Sequence, residues 1–132
     1  MRVLVASMVT CALSAPLGAC PPMQEREALA QSNDLRIYYA FEAQPVVGQP
    51  FAVSVRACNG DGTFAQGRIS ADATMPAHGH GMNYAPRPVP LVNGTARVEG
   101  MLMHMPGQWR FKFSVRHQDQ VRHAEADYAL SP

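Results

Sequence analysis

Two segments of the chain combine histidine with methionine. Residues Met75–Met82 read Met-Pro-Ala-His-Gly-His-Gly-Met, and residues Met101–Gly107 read Met-Leu-Met-His-Met-Pro-Gly. They hold three of the five histidines and five of the eight methionines. Imidazole and thioether groups, without clustered carboxylates or paired thiols, favour copper over calcium, magnesium or an iron–sulfur cluster. The two segments therefore predict a copper site, with thioethers suited to Cu(I) and imidazoles to Cu(I) or Cu(II).

Both segments supply candidate ligands. Alternate side chains of an extended backbone project from the same side, so His78, His80 and Met82 can converge. The glycines between them permit unusual backbone angles. The second segment adds His104 and Met105. Met75 completes the candidate set, although a methionine at such a position more often fills a core.

The candidate ligands lie between segments in which apolar and polar residues alternate. This alternation is clearest in Trp109–Arg116 and recurs in residues 35–41, 51–57, 69–75 and 124–130. Such alternation predicts strands with one buried and one solvated face. Six or seven short strands without a convincing helix predict an all-β fold, a sandwich of two sheets with Trp109 in its core.

The breaks between these segments fit the same architecture. Asn93-Gly94 lies between Leu91-Val92 and Thr95–Val98 and is a strong hairpin signal. Pro86, Pro88 and Pro90 cannot donate ladder hydrogen bonds, so their segment is predicted at a sheet edge or in a long connection.

The orientation of the second His-Met segment has two alternatives. If the strand Thr95–Val98 continues unbroken, His104 faces inward and the three methionines Met101, Met103 and Met105 face water. A β-bulge at Gly100 would reverse this arrangement.

The N-terminus has the pattern of an export signal. Residues 1–20 combine a charged start, a short apolar run and a small-residue exit, as secretory signal peptides do. Leu17-Gly-Ala-Cys20 also resembles a bacterial lipobox, in which Cys20 would carry a lipid that anchors the protein without spanning the membrane. The polar residues 21–33 are predicted to form a flexible tether, and residues 34–132 the folded domain. We expect a periplasmic or cell-envelope protein that contacts the membrane only through such an anchor.

Cys58 has three alternative roles, because Cys11 leaves with the signal peptide. If Cys20 is lipidated, Cys58 is unpaired and behaves as a small buried apolar residue. It could instead form a disulfide with an unlipidated Cys20, or provide a thiolate near the metal site.

Composition excludes several classes of function. The 132 residues suit one domain, and 47% hydrophobic residues suffice for a core. A net charge of +1 with scattered arginines gives no basis for nucleic-acid binding. No arrangement typical of a nucleophilic or acid–base catalyst stands out, so we expect no enzyme. His117 and His123 are predicted to lie on the solvent-exposed faces of strands.

The chain resembles the small exported or membrane-anchored domains called YtkA-like, which are related to the FixH proteins. The matching pieces are Ile69–Met82, with its His-Gly-His-Gly-Met, and Val98–Trp109, with its His-Met-Pro-Gly-Gln-Trp. The resemblance covers about residues 50–116. It implies an immunoglobulin-like β-sandwich of about seven strands and an association with copper handling or copper-oxidase assembly.

Residues and resemblance together predict a metallochaperone-like domain that carries or delivers copper to an oxidase or another cuproenzyme. The alternative is a protein-interaction module of the cell envelope without a metal, in which the two segments only shape docking loops.

Overall fold

The computed structural model describes residues 18–132, so most of the predicted signal peptide, up to Leu17, lies outside the described residues. Residues 18–132 form nine strands and no helix. The strands are β1 (Ala28–Gln31), β2 (Leu35–Phe41), β3 (Phe51–Asn59), β4 (Arg68–Met75), β5 (His80–Gly81), β6 (Arg87–Pro90), β7 (Thr95–Met101), β8 (Gly107–His117) and β9 (Gln120–Leu130). Among these residues no helix is long and apolar enough to span a membrane.

The strands make two antiparallel sheets with the orders β1-β2-β3-β7-β6 and β5-β4-β8-β9. Without the short edge strands β1 and β5, seven strands remain, divided four and three as in an immunoglobulin constant domain. The predicted all-β sandwich is confirmed, and the two edge strands explain why it has nine strands rather than about seven.

The core lies between the inward faces of the two sheets. Trp109, Phe111 and Phe113 alternate along β8 and are fully buried. Tyr39 of β2 packs on Phe113 across the sandwich, with ring centroids 4.8 Å apart. The period-two pattern therefore predicted the buried face of β8 correctly, with Trp109 as the expected core residue.

The hairpin at Asn93-Gly94 is also present. Asn93 and Gly94 have φ angles of 45° and 65°, the positive values that such tight turns require. The strand before the turn is Arg87–Pro90, however, rather than Leu91-Val92. It is an edge strand, because its prolines cannot donate to a second neighbour.

The prediction of a flexible tether over residues 21–33 needs correction. Ala28–Gln31 pair with β2 as an edge strand, and Ala30 is buried in the core. Four residues are too few for a period-two pattern to stand out in a polar segment, so the sequence did not reveal this strand.

An ion pair fixes the chain just before this strand. The guanidinium of Arg56 donates to both carboxylate oxygens of Glu27, at 3.1 and 2.5 Å, and both side chains are largely buried. Burial alone would raise the pKa of Glu27. The hydrogen bonds from Arg56 and from the Gln24 amide, together with the charge of Arg56, outweigh burial and hold this pKa below its ordinary value of 4.5.

We predict that Glu27→Gln lowers the free energy of unfolding by about 2 kcal/mol at neutral pH, because a buried guanidinium loses its charged partner. Since the pKa of Glu27 is depressed in the folded state, its stabilising contribution is complete above 4.5 and is lost as the pH falls through the folded-state value. The difference between the two proteins should therefore shrink as the pH falls below 4.5.

Urea unfolding across this pH range measures the effect, with Glu25→Gln as the control because Glu25 is exposed. A difference that stays constant with pH would contradict the prediction.

Candidate metal centre

The β4–β5 hairpin positions the first pair of histidines. The carbonyl of Met75 accepts hydrogen bonds from the amides of His78 and Gly79, at 3.1 and 3.0 Å. Gly79 has a φ of +66°, a left-handed conformation that glycine adopts without strain. The chain then reverses so that His80 pairs with Met75 at the end of β4. Both imidazoles are exposed at this end of the sandwich.

A β-bulge positions the third histidine. Phe51 of β3 pairs with Met101 and Val53 with Val98, so β7 carries one extra residue at this point. Gly100 lies in the bulge with a φ of +72°. The bulged alternative of the sequence analysis is thus the observed one.

The bulge determines which side chains of the second His-Met segment are buried. Met101 and Met103 are fully buried, whereas the intervening Leu102 and the following His104 are only half-buried. The amide of Gly48 donates to the Met103 carbonyl at 2.9 Å and holds the segment against the preceding loop. His104 therefore emerges at the edge of the sandwich instead of inside it.

The two segments meet at this edge. The Leu102 amide donates to the thioether sulfur of Met82 at 3.4 Å. The ring centroids of His80 and His104 are 5.2 Å apart, and those of His78 and His80 are 5.7 Å apart. We call the group His78, His80 and His104 the histidine rim.

The spacing of His80 and His104 suits a shared ion. Two imidazoles that bind one tetrahedral ion through nitrogen–metal bonds of about 2.0 Å have ring centroids roughly 5 Å apart. Within residues 18–132, however, no three side chains of histidine, cysteine, aspartate or glutamate form a ready metal-binding group. A complete site at the rim would therefore need a thioether or a shift of His78.

His104 also has an unsatisfied nitrogen. Its Nδ1 is buried and has no hydrogen-bond partner. A buried nitrogen without a partner costs about 1–3 kcal/mol relative to one that is hydrogen-bonded. Nδ1 of His80, in contrast, lies 3.4 Å from the Gly81 carbonyl. His104 Nδ1 is thus a nitrogen for which a bound cation would compensate.

The candidate methionines occupy different places. Met82 and Met105 are partly buried and pack against the core beside the rim. Met75 is only 2% exposed and belongs to the core, as a gap-filling methionine does. The fit of the residues to copper therefore rests on two half-buried thioethers and the three imidazoles of the rim.

Trp109 forms the floor of the rim, a role that sequence analysis did not assign to it. Its ring meets that of His104 edge-to-face at a centroid distance of 5.5 Å, and that of His80 at 6.5 Å. The indole N–H donates to the Met105 carbonyl at 3.0 Å. The alternating pattern predicted that Trp109 is buried, but only the folded chain shows which rings lie above it.

Cys20 and Cys58 lie away from the rim and form a disulfide, with Cα atoms 6.0 Å apart. Phe51 begins β3 near the rim, and Cys58 lies close to the other end of this strand, roughly 22 Å from Phe51. A thiolate at the metal site is therefore excluded for Cys58. One sulfur cannot carry both a disulfide and a lipid, so lipidation of Cys20 stays a prediction that competes with the bond described here.

The remaining histidines are exposed, as predicted. His117 lies at the end of β8, and Nδ1 of His123 is 2.9 Å from the Ser114 hydroxyl. Neither approaches the rim in the ring contacts that the structure shows.

No protein-family model matches the chain, and no curated protein matches its sequence. Two solved structures align with most of the chain. A DUF4426 family protein from Pseudomonas aeruginosa PAO1 is 14% identical over 82% of this chain and 97% of its own, with a TM-score of 0.53. FetP from uropathogenic Escherichia coli strain F11 is 14% identical over 83% of this chain and 100% of its own, with a TM-score of 0.46.

At this identity the first similarity shows the all-β fold alone, and the second is too low to carry an argument. Neither structure is described as YtkA-like or FixH-like. Membership of that family therefore stays a hypothesis.

We predict that His104→Leu stabilises the metal-free protein by about 1 kcal/mol, because leucine removes the unpartnered buried nitrogen and keeps most of the packing volume. Urea unfolding in the presence of a chelator measures this change. His117→Leu is the control, since an exposed substitution should alter stability by no more than about 0.5 kcal/mol. A clear loss of stability in His104→Leu would show that Nδ1 is satisfied in solution.

Proposed function

We propose that the protein binds copper at the histidine rim and carries or delivers the ion. The observation that supports this most directly is the pair His80 and His104. Their ring centroids are 5.2 Å apart, and Nδ1 of His104 is buried without a hydrogen-bond partner. An unsatisfied polar group that costs stability is often found where a protein has a function to perform.

The donor set suits copper in particular. The rim offers imidazoles together with the half-buried thioethers of Met82 and Met105, and soft thioether ligands select Cu(I). We propose copper as an ion that the protein transports, not as a cofactor that it retains.

The exposure of the rim favours transfer. His78 and His80 are exposed on the β4–β5 hairpin, while His104 and Trp109 lie behind them. A recipient protein can reach an ion from the open side and exchange its ligands one at a time. We therefore propose a carrier rather than an enzyme, and a cuproenzyme such as an oxidase as the recipient.

The Cys20–Cys58 disulfide supports a location outside the cytoplasm. Disulfides persist in oxidising compartments such as the periplasm. The export signal predicted from the sequence points to the same compartment. We propose that the protein works in the periplasm or at the cell envelope.

Copper titration of the protein tests the proposal. We expect one copper ion per chain, and His80→Ala and His104→Ala should each weaken binding by at least about tenfold, because each removes one ligand of a shared ion. His117→Ala is the matched control and should bind like the unsubstituted protein. Competition with a chromophoric chelator measures Cu(I), and calorimetry measures Cu(II).

Equal binding by the unsubstituted protein and the His80→Ala/His104→Ala double variant would end the proposal. The alternative, a protein-interaction module without a metal, would then be the better explanation of the two segments.

We predict that Met82→Leu lowers the affinity for Cu(I) by about tenfold and leaves that for Cu(II) nearly unchanged, because only the softer ion gains from a thioether. Met103→Leu is the matched control, since Met103 is fully buried in the core and away from solvent. Both changes conserve volume, so each should cost less than about 1.5 kcal/mol of stability. Equal Cu(I) affinities in the two variants would remove Met82 from the site.

A further inference from the structure

A second cluster of reactive groups lies at the other end of the sandwich. Arg56 and Cys58 alternate with core residues along β3, so both project from the outer face of the sheet. The N-terminal segment from Cys20 to Glu27 crosses this face and covers them. The cluster therefore buries a disulfide and a guanidinium together, outside the hydrophobic core.

The guanidinium of Arg56 contacts Glu27, two backbone carbonyls of the covering segment and the two disulfide sulfurs, and its Nη2 donates to the Pro22 carbonyl at 3.2 Å. Its Nε and Nη2 donate to Glu27, at 3.1 and 2.5 Å. Its Nη1 donates to the Pro21 carbonyl at 2.6 Å and lies 3.5 Å from the sulfur of Cys20 and 3.7 Å from that of Cys58. One nitrogen of a permanently charged group is thus directed at the disulfide itself.

Neighbouring groups hold the guanidinium in this position. Its central carbon lies 4.3 Å from the centroid of the Tyr38 ring, a cation–π contact. Arg36, which is exposed, is the cross-strand partner of Cys58. Arg56 is therefore the positive group that contacts Cys58, and Glu27 binds the opposite side of its guanidinium.

The two cysteines differ in exposure. Cys58 is only 2% exposed, whereas Cys20 is half-buried at the edge of the covering segment. Cys20 is therefore the more open of the two to an attacking thiolate. Thiol–disulfide exchange is faster when the leaving sulfur is the more stable thiolate, and a nearby arginine stabilises a thiolate.

We propose that Cys20–Cys58 is a site of thiol–disulfide exchange with an external dithiol, and that Arg56 is its positioning residue. The external thiolate attacks the Cys20 sulfur, the bond between the two cysteines breaks, and its electron pair leaves on Cys58 as a thiolate beside Arg56. The second thiol of the reductant then attacks the mixed disulfide and releases Cys20.

The external dithiol is oxidised to a disulfide and Cys20 and Cys58 are reduced, with the two protons of the dithiol passing to the two cysteines. The exchange does not depend on copper binding, because the histidine rim lies at the opposite end of β3.

The rate at which dithiothreitol reduces the disulfide of the folded protein at neutral pH tests the role of Arg56. We expect Arg56→Gln to slow reduction by about tenfold, because the leaving thiolate loses its positive neighbour, and Arg56→Lys to remain within about threefold of the unsubstituted protein. If Arg56 only held the covering segment in place, Arg56→Gln would loosen it and speed up reduction. Reduction of Arg56→Gln as fast as that of the unsubstituted protein, or faster, overturns the proposal.

The site of attack provides a test that needs no substitution. The protein is treated with a limiting amount of glutathione and then alkylated, and peptide mass spectrometry locates the mixed disulfide. We expect glutathione on Cys20 and the alkyl group on Cys58. Glutathione mainly on Cys58 would overturn the proposed order of attack.

Discussion

The backbone conformation at Gly100 is the constraint on which the arrangement of the candidate site depends. Its positive φ accommodates one extra residue in β7, and this reverses the direction of the side chains that follow in the second His-Met segment. Met101 and Met103 are thereby buried, and His104 reaches the edge of the sandwich. Without the bulge, an imidazole would enter the core and three thioethers would face water. The bulge at Gly100 thus places the methionines Met101 and Met103 in the core and the candidate ligand His104 at the edge of the sandwich.

The candidate site has an energetic cost at this edge. His104 keeps a buried Nδ1 without a hydrogen-bond partner, and an unsatisfied buried polar atom lowers the stability of the folded state. The rest of the site is well supported: Trp109 lies beneath the rings and is bonded to the Met105 carbonyl, and the Met82 sulfur accepts the Leu102 amide. These fixed contacts, together with the unsatisfied nitrogen of His104, are the features on which the proposed copper site depends.

The two ends of the sandwich carry different chemistry. The loops at one end bring imidazoles and thioethers together, while the other end holds a disulfide beside a buried arginine. The strands between them are packed as a continuous core, with Phe111 and Phe113 at its centre. The histidine rim and the disulfide lie at opposite ends of β3. A substitution in one of them therefore does not directly contact the other.

The amino-acid sequence was enough to predict the sandwich, the buried face of β8, the Asn93-Gly94 turn and the residue types of the candidate site. These follow from short-range rules: period-two alternation, turn preferences and ligand chemistry. It did not reveal β1, because four residues carry too little pattern, and it left the orientation of His104 and the partner of Cys58 open. These features became clear only in the folded chain, since a bulge, a disulfide and the distance between His80 and His104 depend on which strands pair and in which register. Local sequence specifies which groups are present, but contacts between residues far apart in the chain are fixed only when the sheets close on a common core.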